Sequence, residues 1–110
     1  TKLVRNISRA IGRKTNMIGV LTHHWAKEGL FDQARILLDG NGAAQSKAPG
    51  FVSRTTLLPR DDSNQISSIV IWDDDKIYDK WKVSPERAVA MNGAEKLWVK
   101  PPLSERFDIP

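Results

Sequence analysis

Two halves, each of strand, helix and strand, follow one another in this chain. That order predicts an α+β fold: a ferredoxin-like βαββαβ unit with an antiparallel sheet and helices on one face. Three observations carry the prediction. Four segments alternate apolar and polar residues with the period of a half-buried strand. Stretches of helical period lie between the first and second of them and between the third and fourth. A polar loop, PRDDSNQ at residues 59–65, joins the two middle strands as a hairpin.

At 110 residues the chain is the size of one domain. Apolar residues make up 40% and charged ones 27%, and no run reaches the ~18 apolar residues of a membrane span. The expected location is cytoplasmic. The chain has no cysteine, which excludes disulfides, zinc ribbons, iron–sulfur clusters and thiol nucleophiles. The formal net charge of +4 is unevenly placed. Residues 1–16 hold Lys2, Arg5, Arg9, Arg13 and Lys14 and no acid, while the remainder carries 12 basic and 13 acidic side chains. A neutral body with a basic arm is not the basic folded face that nucleic-acid recognition uses, so no nucleic-acid partner is expected.

The arm, residues 1–16, sets Leu3, Val4, Ile7, Ala10 and Ile11 on one helical face beside Arg5, Arg9 and Arg13. It reads as an extra N-terminal helix that packs on the body or on a second subunit; a membrane surface and a transit role are its other readings. Residues 17–110 form the domain proper. Its first strand puts Ile18, Val20, Thr22 and His24 on one face and Gly19, Leu21, His23 and Trp25 on the other. From about residue 30 to 45, Leu30, Ala34, Leu37, Leu38 and Asn41 share a helical stripe, which Gly40 and Gly42 weaken toward its end. Ala48-Pro49-Gly50 turns the chain into FVSRTTLL, and ISSIVIW at 66–72 returns beside it.

Asp73, Asp74 and Asp75 open the second helix, because carboxylates cap free amides and favour the positive end of the helix dipole. Ile77, Tyr78 and Trp81 form its apolar face. Ser84 and Pro85, as N-cap and first helical residue, restart the chain as a short helix over about 85–92, which Asn92-Gly93 ends. Leu103, Glu105, Phe107 and Ile109 alternate as the last strand. On this reading Ile18, Val20, Phe51, Ser53, Ile69, Ile71, Phe107 and Ile109 lie beneath the helices. Leu21, Trp25, Val52, Val70 and the Leu103 side remain on the far face, too apolar to leave in water. A second copy, its sheet about 10 Å away across a two-fold axis, is therefore the expected partner.

The candidate site residues are few. His23 and His24 alone have side chains that titrate near neutrality in the unperturbed state. As strand neighbours they point to opposite faces and cannot chelate one metal, and no metal site is expected. One should face the pocket between sheet and helices, where it could take the proton of a phenol or enol; the other reading is a satisfied structural histidine. Trp72 and Trp81 belong to the core by default, filling the space between helix and sheet. Tyr78 offers a phenolic hydrogen bond, Thr22 shares the inward face, and Trp25 and Trp98 suit the pocket mouth or a subunit contact. The three aspartates could serve a hard cation, but successive residues diverge from a helix start, which favours capping. No phosphate loop, dinucleotide fingerprint or nucleophile elbow is present.

Pro49-Gly50-Phe51, the strand end Ile71-Trp72-Asp73, Trp81 nine residues after Trp72, and Ser84-Pro85 stand in this order. In that they resemble the antibiotic biosynthesis monooxygenase superfamily, to which bacterial haem-degrading oxygenases are related. The resemblance covers about residues 17–110. It implies a dimeric α+β barrel with a pocket in each subunit, and cofactor-independent oxygenation of a small phenolic or quinol-type aromatic molecule. By that likeness Trp81 lines the pocket and joins His23 and His24 as a catalytic candidate, and Thr22, Trp25, Tyr78 and Trp72 complete the set as substrate-binding candidates. Many members carry histidine where this chain has Trp81. The haem-degrading branch has tryptophan there but an iron-ligating histidine nine residues later, where this chain has Ala90, and an asparagine on the first strand where it offers Leu21, Thr22 or His23. Two other functions therefore stand beside oxygenation: a non-catalytic barrel that binds a small ligand, and haem binding or degradation.

Overall fold

The computed structural model describes residues 16–110; the expected helix of the arm lies outside them. Four strands form one antiparallel sheet in the order β2-β3-β1-β4. β1 (Ile18–Trp25) and β3 (Gln65–Trp72) are inner strands, and β2 (Phe51–Leu57) and β4 (Leu103–Asp108) are the edges. α1 (Phe31–Gln45), α2 (Asp75–Lys82) and α3 (Pro85–Ala90) cover one face, so the ferredoxin-like α+β fold is as the sequence predicts.

The helix starts follow the chemistry of their first residues. Asp74 caps α2, its Oδ1 accepting from the Ile77 amide at 2.8 Å. Ser84 caps α3, accepting from the Arg87 amide at 3.1 Å, with Pro85 as the first helical residue. Asp75 turns outward with Asp79, and the Arg106 guanidinium of β4 reaches both, at 2.9 and 2.7 Å. α1 runs through Gly40 and Gly42 to Gln45 without breaking. The space above Gly42 is taken by Arg54 of β2, whose Cδ and Nε would lie 2.8 Å from any Cβ placed there.

The register corrects the expected division of the two faces. Val20 pairs with Val70 and Ile18 with Trp72, so Val70 lies under the helices. Ile69 and Ile71 lie opposite Leu21 and Gly19 on the open face, with Ser53 opposite Ile71. Phe107, opposite Gly19, and Ile109, close to that glycine, are on the open face too. β3 is apolar at both parities, so alternation could not choose between its faces. A register shift between Phe51 and Ser53 breaks the parity of β2 as well.

Two separate apolar clusters join the helices to the sheet. One gathers Ile18, Val20, Val70, Trp72 and Trp81. Trp72 is fully buried there, with the rings of Phe51, Tyr78 and Trp81 5.8–6.1 Å away. The other gathers Ala26, Ala34, Leu38, Ile66, Ala94, Leu97 and Trp98. It is closed by an element the sequence did not announce, a 3-10 turn at Ala94–Leu97. Backbone bonds from Lys27 N to Leu97 O and from Val99 N to Trp25 O, both 2.8 Å, lash that turn to the end of β1.

Gly50 shows how tightly the first cluster is packed. Its φ is +82°, its carbonyl accepts from the Asp73 amide at 2.8 Å, and an added Cβ would run into the Ile77 side chain. Gly50→Ala therefore combines left-handed backbone strain with overpacking and is expected to cost about 2 kcal/mol or more in urea denaturation. A midpoint matching the unsubstituted protein would contradict this packing.

Candidate functional site

The two clusters do not meet. Between them, under the middle of α1, lies a cavity of about 320 Å³, at the lower end of the range for small-molecule sites. β1 supplies its floor with Val20, Thr22 and His24, and β3 with Ser68, Val70 and Trp72. α1 supplies Leu38, Asn41 and Gln45, one below the other along its inner stripe. α2 adds Tyr78 and Trp81, and Trp98 closes the end beyond the 3-10 turn.

His24 is buried, 8% exposed, with its ring 4.6 Å from that of Trp98. Burial, then the nearby positive charges of Arg54 and Arg87, lowers its pKa to about 4. The imidazole is thus neutral at physiological pH and available as a proton acceptor. Arg54 enters from β2, bonding Gln45 Oε1 at 2.7 Å and reaching the Leu38 carbonyl at 3.5 Å. Burial lowers its pKa as well, and the charge of Asp39 opposes that shift. Among the described residues, Asn41 Oδ1 and Trp72 Nε1 of the cavity lining have no hydrogen-bond partner, each on a residue at least nine-tenths buried.

Of the residues singled out in sequence, His24, Thr22, Trp72, Tyr78 and Trp81 converge on this cavity. Thr22 is bound to Ser104 at 2.9 Å. Tyr78 sits under the Arg106 guanidinium, 4.7 Å from the ring, and burial pushes its hydroxyl pKa up. His23 and Trp25 do not join them. They lie on the open face of the sheet, their rings 6.0 Å apart. There His23 Nδ1 is within 2.6 Å of Ser67 Oγ and 3.2 Å of Gln65 Nε2, and Lys100 covers the Trp25 ring.

Sequence reasoning missed Arg54, Gln45, Arg87 and Ser68. One signal was available: Asn41 stands on the apolar stripe of α1, and Gln45 follows one turn later. Two polar residues continuing a buried stripe mark a polar interior that something else must satisfy. Among the described residues no three His, Cys, Asp or Glu side chains converge to hold a metal ion. No helix among them is long and apolar enough to cross a membrane.

No family model matches the chain, and no curated protein matches it. Solved structures do. SnoaB, a cofactor-independent oxygenase from Streptomyces nogalater, superposes with a TM-score of 0.77 at 18% identity, over 86% of this chain and 94% of its own. A proposed antibiotic biosynthesis monooxygenase from Nitrosomonas europaea gives 0.80 at 12% identity, over 86% and 91%. A conserved protein from Methanosarcina mazei Go1 gives 0.80 at 11% identity, over 89% and 97%. The likeness at such identities is one of fold, and the fold is the one that the resemblance in sequence implied.

The state of His24 has a measurable consequence. The unfolded chain takes up a proton near the ordinary pKa of 6.5, and the folded chain only near 4. Stability is therefore intact above pH 6.5 and falls as pH drops toward 4, by about 3 kcal/mol from this residue. Denaturation curves at intervals between pH 7 and pH 4 should lose that part of their slope in His24→Leu. An unchanged slope would place the proton uptake elsewhere.

Proposed function

We propose that the chain is a small oxygenase that acts without metal or flavin on a phenolic or quinol-type aromatic molecule held between sheet and helices. The observation that carries the reading is His24: a neutral imidazole facing a cavity of about 320 Å³ whose walls include three tryptophans. A flat aromatic ring suits such walls through dispersion and stacking. The shared fold with a cofactor-independent oxygenase adds support.

In this reading His24 accepts the phenolic proton. The resulting phenolate offsets the repulsion of Arg54 and Arg87 that keeps the free imidazole so weakly basic, so the ion pair forms inside the cavity more readily than the free pKa suggests. The electron-rich ring then reduces oxygen. One oxygen atom becomes a new ring carbonyl. The other leaves as water with the phenolic hydrogen and the hydrogen of the oxidised carbon, and the substrate supplies all four electrons. Trp81 and Trp98 flank the ring, Trp72 backs Trp81 from 6.1 Å away, and Thr22 and Tyr78 bound it on the β4 side.

A homodimer belongs to the same proposal. The open face carries Leu21, Ile71, Leu57, Ile69, Leu103 and Phe107, the last two 54% and 49% exposed. Two such faces packed together would remove that apolar area from water. Sedimentation at micromolar concentration should give twice the 12.4 kDa chain mass; a monomer would refute the paired sheets. For the chemistry, oxygen uptake is expected with at least one member of a panel of quinols and naphthols. His24→Asn should lower kcat/KM about 100-fold. Uptake absent across the panel, or unaltered in that variant, would overturn the assignment.

A further inference from the structure

Arg54 is an unusual residue to find half-buried in the wall of this cavity. Half-burying a guanidinium costs solvation, which proteins ordinarily recover by pairing it with a carboxylate. Here the partners are neutral: the Gln45 amide oxygen and, at the limit of hydrogen-bonding distance, the Leu38 carbonyl. Among the described residues no carboxylate oxygen lies within 4.0 Å of it, whereas Arg35 has one such partner and Arg106 has two. A guanidinium has five N–H donors in a planar fork, so most of those of Arg54 remain for something else. Its path is also cleared. Gly42 leaves the room through which the Arg54 side chain crosses α1, and any Cβ there would collide with it.

The rest of the lining carries the same bias. Among the described residues Trp72 Nε1 is a buried donor without an acceptor. Arg87 also lines the cavity, and among the described lining residues the one carboxylate, that of Glu95, is on an exposed residue. Among the described residues Asn41 Oδ1 has no donor, and the amide can accept from a hydroxyl or, turned over, donate. Two cations in the lining oppose a cationic ligand and leave a neutral hydrocarbon with nothing to satisfy them.

We propose that Arg54 is the oxyanion-binding residue of this cavity, and that the ligand is a planar aromatic molecule carrying a carboxylate or an ionised ring hydroxyl. The inference rests on the cavity being the ligand site, as above, and not on turnover. An alternative role for Arg54, as a strut between β2 and α1, would give stability without charge preference.

The test is equilibrium binding under nitrogen, read by quenching of the tryptophans that line the cavity, Trp72, Trp81 and Trp98. 2-Naphthoate should bind at least 10-fold more tightly than 2-naphthalenemethanol, which has the same ring and no charge. Arg54→Met should abolish that ratio while leaving the alcohol within about 3-fold, and Arg54→Lys should keep part of it. 4-Nitrophenol reports the second source of an oxyanion, since its bound ionised form is coloured. A carboxylate-only site gives the naphthoate preference without the colour, and a site for either gives both. Equal binding of naphthoate and alcohol by the unsubstituted protein overturns the proposal whether or not the variants fold, as does a preference that survives in Arg54→Met. Failure of every ring compound to bind would refute the cavity as the ligand site and take the oxygenase reading with it. Charge-selective binding without oxygen uptake would leave this inference standing and remove only the chemistry.

Discussion

The helix layer is fastened to the sheet at two ends, by the Trp72 cluster and by the Trp98 cluster, and the gap between them holds His24, Arg54 and Asn41. The separation of these clusters is the constraint on which the remaining features depend. A single continuous core would have expelled the polar groups or buried them at a cost no small domain can meet. With the layers held apart at fixed distance by aromatic side chains, the middle of the interface stays open. α1 bridges both clusters, contributing Leu38 to one and Ala44 to the other, and so spans the cavity as a roof.

The electrostatics follow from that enclosure. In water, two arginines near a histidine would be screened to little effect. Inside the gap they add to burial in holding His24 neutral. On the proposed reading the same charges would draw an oxyanion to the place where the imidazole can exchange a proton with it. Base and anion site would then be linked through one partly buried space, and a ligand that neutralises one arginine would change the proton affinity of the ring beside it.

Much of the fold was legible because it is local. Asp74 and Ser84 cap helices through atoms three residues away, and Pro49-Gly50 makes a turn that only glycine's backbone accommodates. The facing of β3 was not legible, since Ile66, Val70 and Trp72 compete with Ile69 and Ile71 and only pairing with β1 decides between them. That one of the two histidines faces inward followed from strand alternation; which one depends on the helices. The 3-10 turn was missed because its stability comes from backbone bonds to the distant end of β1 rather than from any pattern in Ala94–Leu97. Arg54 was missed for a related reason. Its role arises from a glycine twelve residues earlier in the chain, on another element.

That pairing makes Gly42 and Arg54 a single inherited unit. In an exposed helix, replacing glycine by alanine gains about 1 kcal/mol of helix propensity, so mutation would be expected to erode Gly42 unless something opposed it. The crossing side chain of Arg54 does so, for as long as it is there. Once Arg54 has been exchanged for a shorter residue, the sign of the effect at position 42 reverses and alanine becomes an improvement. The order of loss along a diverging lineage is thereby directed: the arginine goes first and the glycine second, seldom the other way. Chains of this fold that keep glycine at this point of the helix would be those still carrying a long side chain across it, and a helix with alanine there would mark a cavity whose charge has already changed.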